Sequence, residues 1–184
     1  MGKTTLAVLF ADDEAPGKID DPSDPAFGKT AKVMTSRAKF DVYPRSYVGA
    51  IFTDREFLNS YSRLGGVGGD FWIGRTYRLN FDVIGSDRQT LDNIRKTGPQ
   101  WNVSFRRDGR SLDYSLVHYR THPDFGSDLG FVRRTDERYT TSNISYTFWP
   151  ATWIRQWGPR FTYERGNDYR GTVLNDEIAN WGLS

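Results

Sequence analysis

The stretch "WNVSFRRDGRSLDYSL" (101–116) constrains the fold more than any other. Apolar and polar side chains alternate on both sides of Asp108-Gly109. Period-two alternation marks a half-buried β-strand, and Asp-Gly between two such runs is a strong short-range hairpin signal. A two-residue turn there sets Phe105 opposite Leu112, Val103 opposite Tyr114 and Trp101 opposite Leu116, with Ser104 opposite Asp113. Each apolar pair stabilises by roughly 0.2–1 kcal/mol relative to Ala–Ala. The same register puts Arg107 opposite Arg110, an unfavourable like-charge pair unless both guanidiniums reach solvent.

The alternation recurs along the chain. Tyr77, Leu79, Phe81 and Val83 share one face of "RTYRLNFDVIG", with Arg78, Asn80 and Asp82 on the other. Ala38, Phe40 and Val42 alternate with Arg37, Lys39 and Asp41. Ser142, Ile144, Tyr146 and Phe148 oppose Thr141, Asn143, Ser145 and Thr147. "RFTYER" alternates again, and Lys3 to Ala11 reads as a strand with Thr4, Leu6, Val8 and Phe10 on one face. "SYVGAIFTD" is apolar on both faces and reads as a more covered strand. Turn chemistry separates these runs at 12–28, 44–45, 64–70, 96–99, 123–130, 150 and 166–168. Within it, Gly65 to Gly69 reads as a flexible hairpin loop entering a strand from Phe71 to Gly74. About nine strands and no helix result. The expected fold is all-β, an antiparallel up-and-down meander forming a single domain over 1–184. The closing "NDEIANWGLS" reads as a strand with no closing element, so the chain is expected to be a fragment truncated at both ends.

Other chemistries find little support. Gly2-Lys3-Thr4-Thr5 resembles the end of a phosphate-binding loop. The first glycine, the preceding strand and the following helix that such a loop needs are all missing. Lys and Arg number 25 against 23 Asp and Glu, so no basic field invites nucleic acid. With no cysteine, disulfides, thiolate metal sites and thiol catalysis are excluded. His118 and His122 lie on a strand, where four residues span about 13 Å, too far for one ion. The acidic run Asp12, Asp13, Glu14, Asp20, Asp21 and Asp24 matches no calcium-loop spacing and reads as a solvated loop. No Gly-x-Ser-x-Gly elbow exists. No catalytic residues, cofactor, metal or nucleotide are expected.

Alternation alone does not separate two architectures. In a soluble sandwich or barrel the apolar face is core. In an outer-membrane barrel it meets lipid and the polar face lines the lumen. Strand length favours the membrane, and so do aromatics near strand ends: Trp72, Tyr77, Trp101, Tyr119, Tyr139, Trp149, Trp153 and Trp157. Against it, the longer connections fall on both ends of the sheet by this strand count. The expected lumen-lining residues are Arg37, Lys39, Arg78, Asp82, Arg106 and Asp113. The alternative is a soluble β-domain that stacks saccharide on Trp149, Trp153 or Trp157, since pyranose faces are apolar.

Two segments carry a family resemblance. "RSYVGAIFTDREFLNSYSRLGGVGGDF" holds Ser46, Gly49, Thr53, Arg55, Asn59 and Gly65-Gly66-Val67. "PDFGSDLGFVRRTD" holds Asp124-Phe125 and Gly130-Phe131-Val132 with Arg134. These resemble the C-terminal β-barrel domain of the bacterial family called domain of unknown function 5916. There an Asp usually follows Gly-Gly-Val; here Gly68 stands in that place, with Asp70 two positions on. The resemblance implies a lipid bilayer as partner and the bacterial outer membrane as location. It also implies a link to carbohydrate through an upstream binding module like those of family 9, and a signal peptide before it. It implies no reaction.

Overall fold

A computed structural model describes residues 2–14, 20–150 and 155–183. Ten strands form one antiparallel sheet in which each pairs with the next. They are β1 (Thr4–Asp13), β2 (Ala31–Tyr43), β3 (Ser46–Phe57), β4 (Ser60–Ile73) and β5 (Tyr77–Gln89), then β6 (Arg95–Arg107), β7 (Leu112–Thr121), β8 (Glu137–Tyr146), β9 (Pro159–Asn167) and β10 (Leu174–Leu183). No helix occurs among the described residues. The meander is as expected, with ten strands rather than nine. Thr4 opens β1, and the Lys3 carbonyl accepts the Asp41 N–H at 2.9 Å, so the Gly-Lys-Thr segment is sheet edge and not a phosphate loop. Among the described residues β1 pairs only with β2 and β10 only with β9, leaving the sheet open.

The strand read too short is β4: Gly65–Gly69, expected as a hairpin loop ahead of a strand from Phe71, sit mid-strand. The local reason is steric. A Cβ on Gly66 would stand 2.8 Å from the Val83 carbonyl oxygen, and one on Gly68 2.8 Å from that of Phe81. Glycine inside a strand marks such close backbone approach. The Gly68→Val change is therefore expected to cost about 1–3 kcal/mol by overpacking, read as a lowered denaturant midpoint. An unchanged midpoint would show that β4 has room to spare.

Three other expectations need correction. The 96–99 segment is not a turn but the start of β6, because Pro99 sits where the β6–β7 ladder has already ended at Gln100. Its missing N–H costs the sheet nothing there. The β6–β7 register also differs. Arg107 pairs with Tyr114, Phe105 with Leu116 and Val103 with His118. The looser turn separates Arg107 from Arg110. Arg107 instead donates to the Leu112 carbonyl, and Asp113 accepts the Gly109 N–H at 2.9 Å. The shift is even, so every side chain keeps its expected face. Finally, β3 is not a covered strand: Val48, Ile51 and Phe52 are exposed.

Connection lengths sort by end better than the sequence suggested. At one end the turns are short (44–45, 74–76 and 108–111), with 147–158 as the exception. At the other lie the long 14–30 and 122–136 connections, beside the short 58–59 turn.

All ten strands belong to one layer, so the paired sheets of a sandwich are not formed by these residues. Buried apolar residues are correspondingly few: Ala26, Ala31, Phe57 and Phe125. The accessible surface is 12625 Å². A compact soluble protein of this mass has about 9,100 Å².

Candidate functional site: two chemically distinct faces

Pairing sets which side chains share a face. Phe40, Val48, Gly69, Phe81, Val103 and His118 lie in one continuous row across β2 to β7. Rows parallel to it build an apolar band from Leu6, Val8 and Phe10 on β1 to Trp181 and Leu183 on β10. Most of its large side chains are exposed, Phe10 at 74 % and Trp181 at 85 %.

The band has two borders. At the short-turn end, aromatics run from strand to strand. Tyr77 stacks with Phe105 at 5.9 Å, and Phe105 meets Tyr114 at 6.3 Å. Tyr146 meets Phe148 at 4.7 Å, and Phe148 stacks on Trp157 at 4.6 Å. Phe148 and Trp157 also form an isolated bridge that resumes the β8–β9 register. At the long-loop end the same face turns ionic. Arg63 reaches Asp54 at 3.2 Å and Glu56 at 2.8 Å, and Arg95 reaches Asp87 at 2.7 Å.

The opposite face carries every residue expected to line a lumen. By register, Arg37 and Lys39 on β2, Arg78 and Asp82 on β5, Arg106 on β6 and Asp113 on β7 share it. Lys39 pairs with Asp41 at 3.0 Å and lies over the Tyr47 ring. Arg78 grips Asp70 with both Nε and Nη2, the latter at 2.5 Å. Asn102 donates to Asp82 at 3.2 Å. Arg37 and Arg106 have no ion pair among the described residues. The face is thus charged, with part of that charge internally paired.

The aromatics divide differently from the expected girdle. Trp72, Tyr119 and Tyr139 lie on the polar face, and Trp101 sits mid-strand in β6. Trp72 is flanked by two guanidiniums, with Arg45 at 3.6 Å and Arg78 at 5.5 Å. Tyr119 donates to Glu137 at 3.0 Å and Tyr139 to Glu164 at 2.7 Å. Sequence spacing placed Trp72, Tyr119 and Tyr139 correctly near strand ends and Trp101 wrongly. It missed the face, because a polar tip on a large ring suits either side.

Of the saccharide-stacking candidates, Trp157 has one ring face covered by Phe148. Trp149 donates its indole N–H to the Arg110 carbonyl at 3.0 Å and lies under the Arg110 guanidinium. Trp153 lies outside the described residues.

The 122–136 connection folds across the polar face, which no local pattern in the chain signals. Asp128 donates its N–H to Ser62 Oγ at 3.1 Å, and its carboxylate pairs with Arg55 at 3.5 Å. Arg55, from the first segment of the family resemblance, thus meets Asp128, from the second. The motif spacing was the one available signal. No family model matches the chain, and neither the curated proteins nor the solved structures contain a match.

Proposed function

We propose that this chain is the membrane-embedded portion of an outer-membrane β-barrel, an anchor or pore, within a carbohydrate-associated bacterial envelope protein. The observation that carries the reading is the exposed apolar band, bordered by aromatics at one end and ion pairs at the other. In water such a band on one layer is unstable. Facing lipid it needs no second layer, and the polar face then surrounds water. From Tyr77 to Gly85 the band covers about 26 Å along β5 at roughly 3.3 Å per residue. Strand tilt brings that to about 20 Å, a little under the roughly 25 Å usual for such barrels. The strands, 9 to 14 residues long, meet the roughly 9–11 needed to cross.

The open edges at β1 and β10 require closure in a membrane, because unpaired backbone groups there each cost several kcal/mol. β1 and β10 run in opposite directions, so either their direct pairing or an even number of further strands satisfies the antiparallel order. The short-turn end faces the periplasm and the long connections face outward, as is usual for such barrels. The carbohydrate link rests on the family resemblance alone.

The test is reconstitution. Refolded with phospholipid vesicles, the chain is expected to float with them on a density gradient and give a β-sheet circular dichroism spectrum. A soluble, monodisperse monomer in detergent-free buffer overturns the reading. If that monomer's tryptophan fluorescence were quenched by an oligosaccharide, the soluble saccharide-binding alternative would take its place.

A further inference from the structure

Three of the seven buried polar residues among the described residues lie at the 122–136 connection. Ser62, Ser86 and Thr121 are 2 %, 5 % and 3 % exposed, and Phe125 is 4 % exposed. Ser62 and Ser86 each receive a backbone N–H from the connection, from Asp128 at 3.1 Å and Gly126 at 3.2 Å. The Asp128 carboxylate lies between two guanidiniums of the sheet, Arg55 at 3.5 Å and Arg88 at 3.8 Å. Gly98 makes the close approach feasible, since a Cβ there would stand 2.7 Å from the Phe125 nitrogen. Arg55, Ser62, Ser86, Arg88 and Gly98 all point from the polar face, on β3 to β6.

The connection leaves β7 and reaches the β3–β4 pair. At about 4.8 Å per strand that is a crossing of roughly 14–19 Å. It then returns toward β8, and Phe131, Arg133 and Arg134 line a cavity shared with Asp82, Asn102 and Tyr119. A segment held by an ion triad, two N–H···O bonds and a buried phenyl ring is a fixed element of the polar face.

We infer that the 122–136 connection is a constriction. Resting on the barrel reading, it narrows the lumen and sets the permeability of the barrel to small hydrophilic solutes. Its anchor is the Asp128 cluster, and its inner wall presents the Arg133 and Arg134 guanidiniums to whatever passes.

The chain holds no cysteine, so a reversible staple gives a clean test. The Ser62→Cys, Asp128→Cys double variant is reconstituted in phospholipid vesicles and planar bilayers in potassium chloride. Copper-phenanthroline closes the disulfide; dithiothreitol opens it, with the Asp128 ion pairs already gone. Conductance is expected to match wild type when oxidised and to rise several-fold when reduced, while wild type ignores the reductant. Phe125→Ala, which removes the buried ring without a redox step, is expected to raise conductance as well. Equal conductance in both redox states, with both floating on vesicles, overturns the constriction and leaves the barrel intact. Failure of the disulfide to form in the floating protein also overturns it, because the connection then does not lie on Ser62. Failure of wild type to float overturns the barrel reading, and the constriction with it.

Discussion

Phe81→Arg is expected to destabilise the lipid-inserted protein by about 2–4 kcal/mol, the cost of a guanidinium at mid-depth on a lipid-facing strand. Phe81 lies mid-band, stacked with Phe71 at 6.2 Å and paired with Val103. The neighbouring Asn80→Arg change adds the same charge on the opposite face, beside water; it loses the hydrogen bond to the Gly69 carbonyl (3.2 Å) and is expected to cost about 0.5–1.5 kcal/mol. At the ionic border of the apolar face, Gln89→Arg is expected to cost about 0–1 kcal/mol, since depth sets the penalty. Denaturant titrations in phospholipid vesicles, followed by tryptophan emission, measure all three. Equal losses for Phe81→Arg and Asn80→Arg would contradict the assignment of faces.

The second large effect concerns the ion pair on the other face. Asp70 keeps 7 % of its side chain exposed and is gripped by Arg78 through two nitrogens, and Arg78 remains 43 % exposed. Arg78→Ala leaves that carboxylate with its desolvation cost and without its partner. The expected loss is about 1.5–3 kcal/mol, below the roughly 3–5 kcal/mol of a fully buried pair, because solvent reaches the guanidinium side. Arg78→Lys is expected to recover only part, as an ammonium lacks the two-pronged geometry. Arg106→Ala, which sits directly across the β5–β6 ladder from Arg78 but makes no ion pair among the described residues, serves as the comparison and is expected to cost little. If Arg78→Ala and Arg106→Ala prove equal, the Asp70 contact is not a structural one.

Much of this architecture was legible in the chain, for a physical reason. A strand's faces follow from parity alone, so Arg37, Lys39, Arg78, Asp82, Arg106 and Asp113 could be gathered on one face before any register was known. Parity also survives an even slip, which is why the β6–β7 faces stood although the turn was read too tight. What failed was local. Five residues of "GGVGG" look like a turn because glycine permits one, yet β4 uses them to bring backbones close. Pro99 looks like a breaker, yet it stands where no ladder bond is lost. The 122–136 crossing depends on groups meeting across 66 and 73 residues of sequence, Asp128 with Ser62 and with Arg55. No periodicity encodes such a meeting.

That crossing has a consequence for how the molecule comes apart. A meander in which each strand touches only its sequence neighbours behaves like a linear array, in which one hairpin can open without disturbing a distant one. Contacts in such an array are local, which favours fast, stepwise assembly. The tether from Asp128 to Arg55 and Ser62 breaks that independence. Four hairpins that could fray singly are stitched into one loop of chain, so β3 to β7 open together. Hydrogen exchange across those five strands should therefore share a common opening energy, while β1 and β10 exchange first.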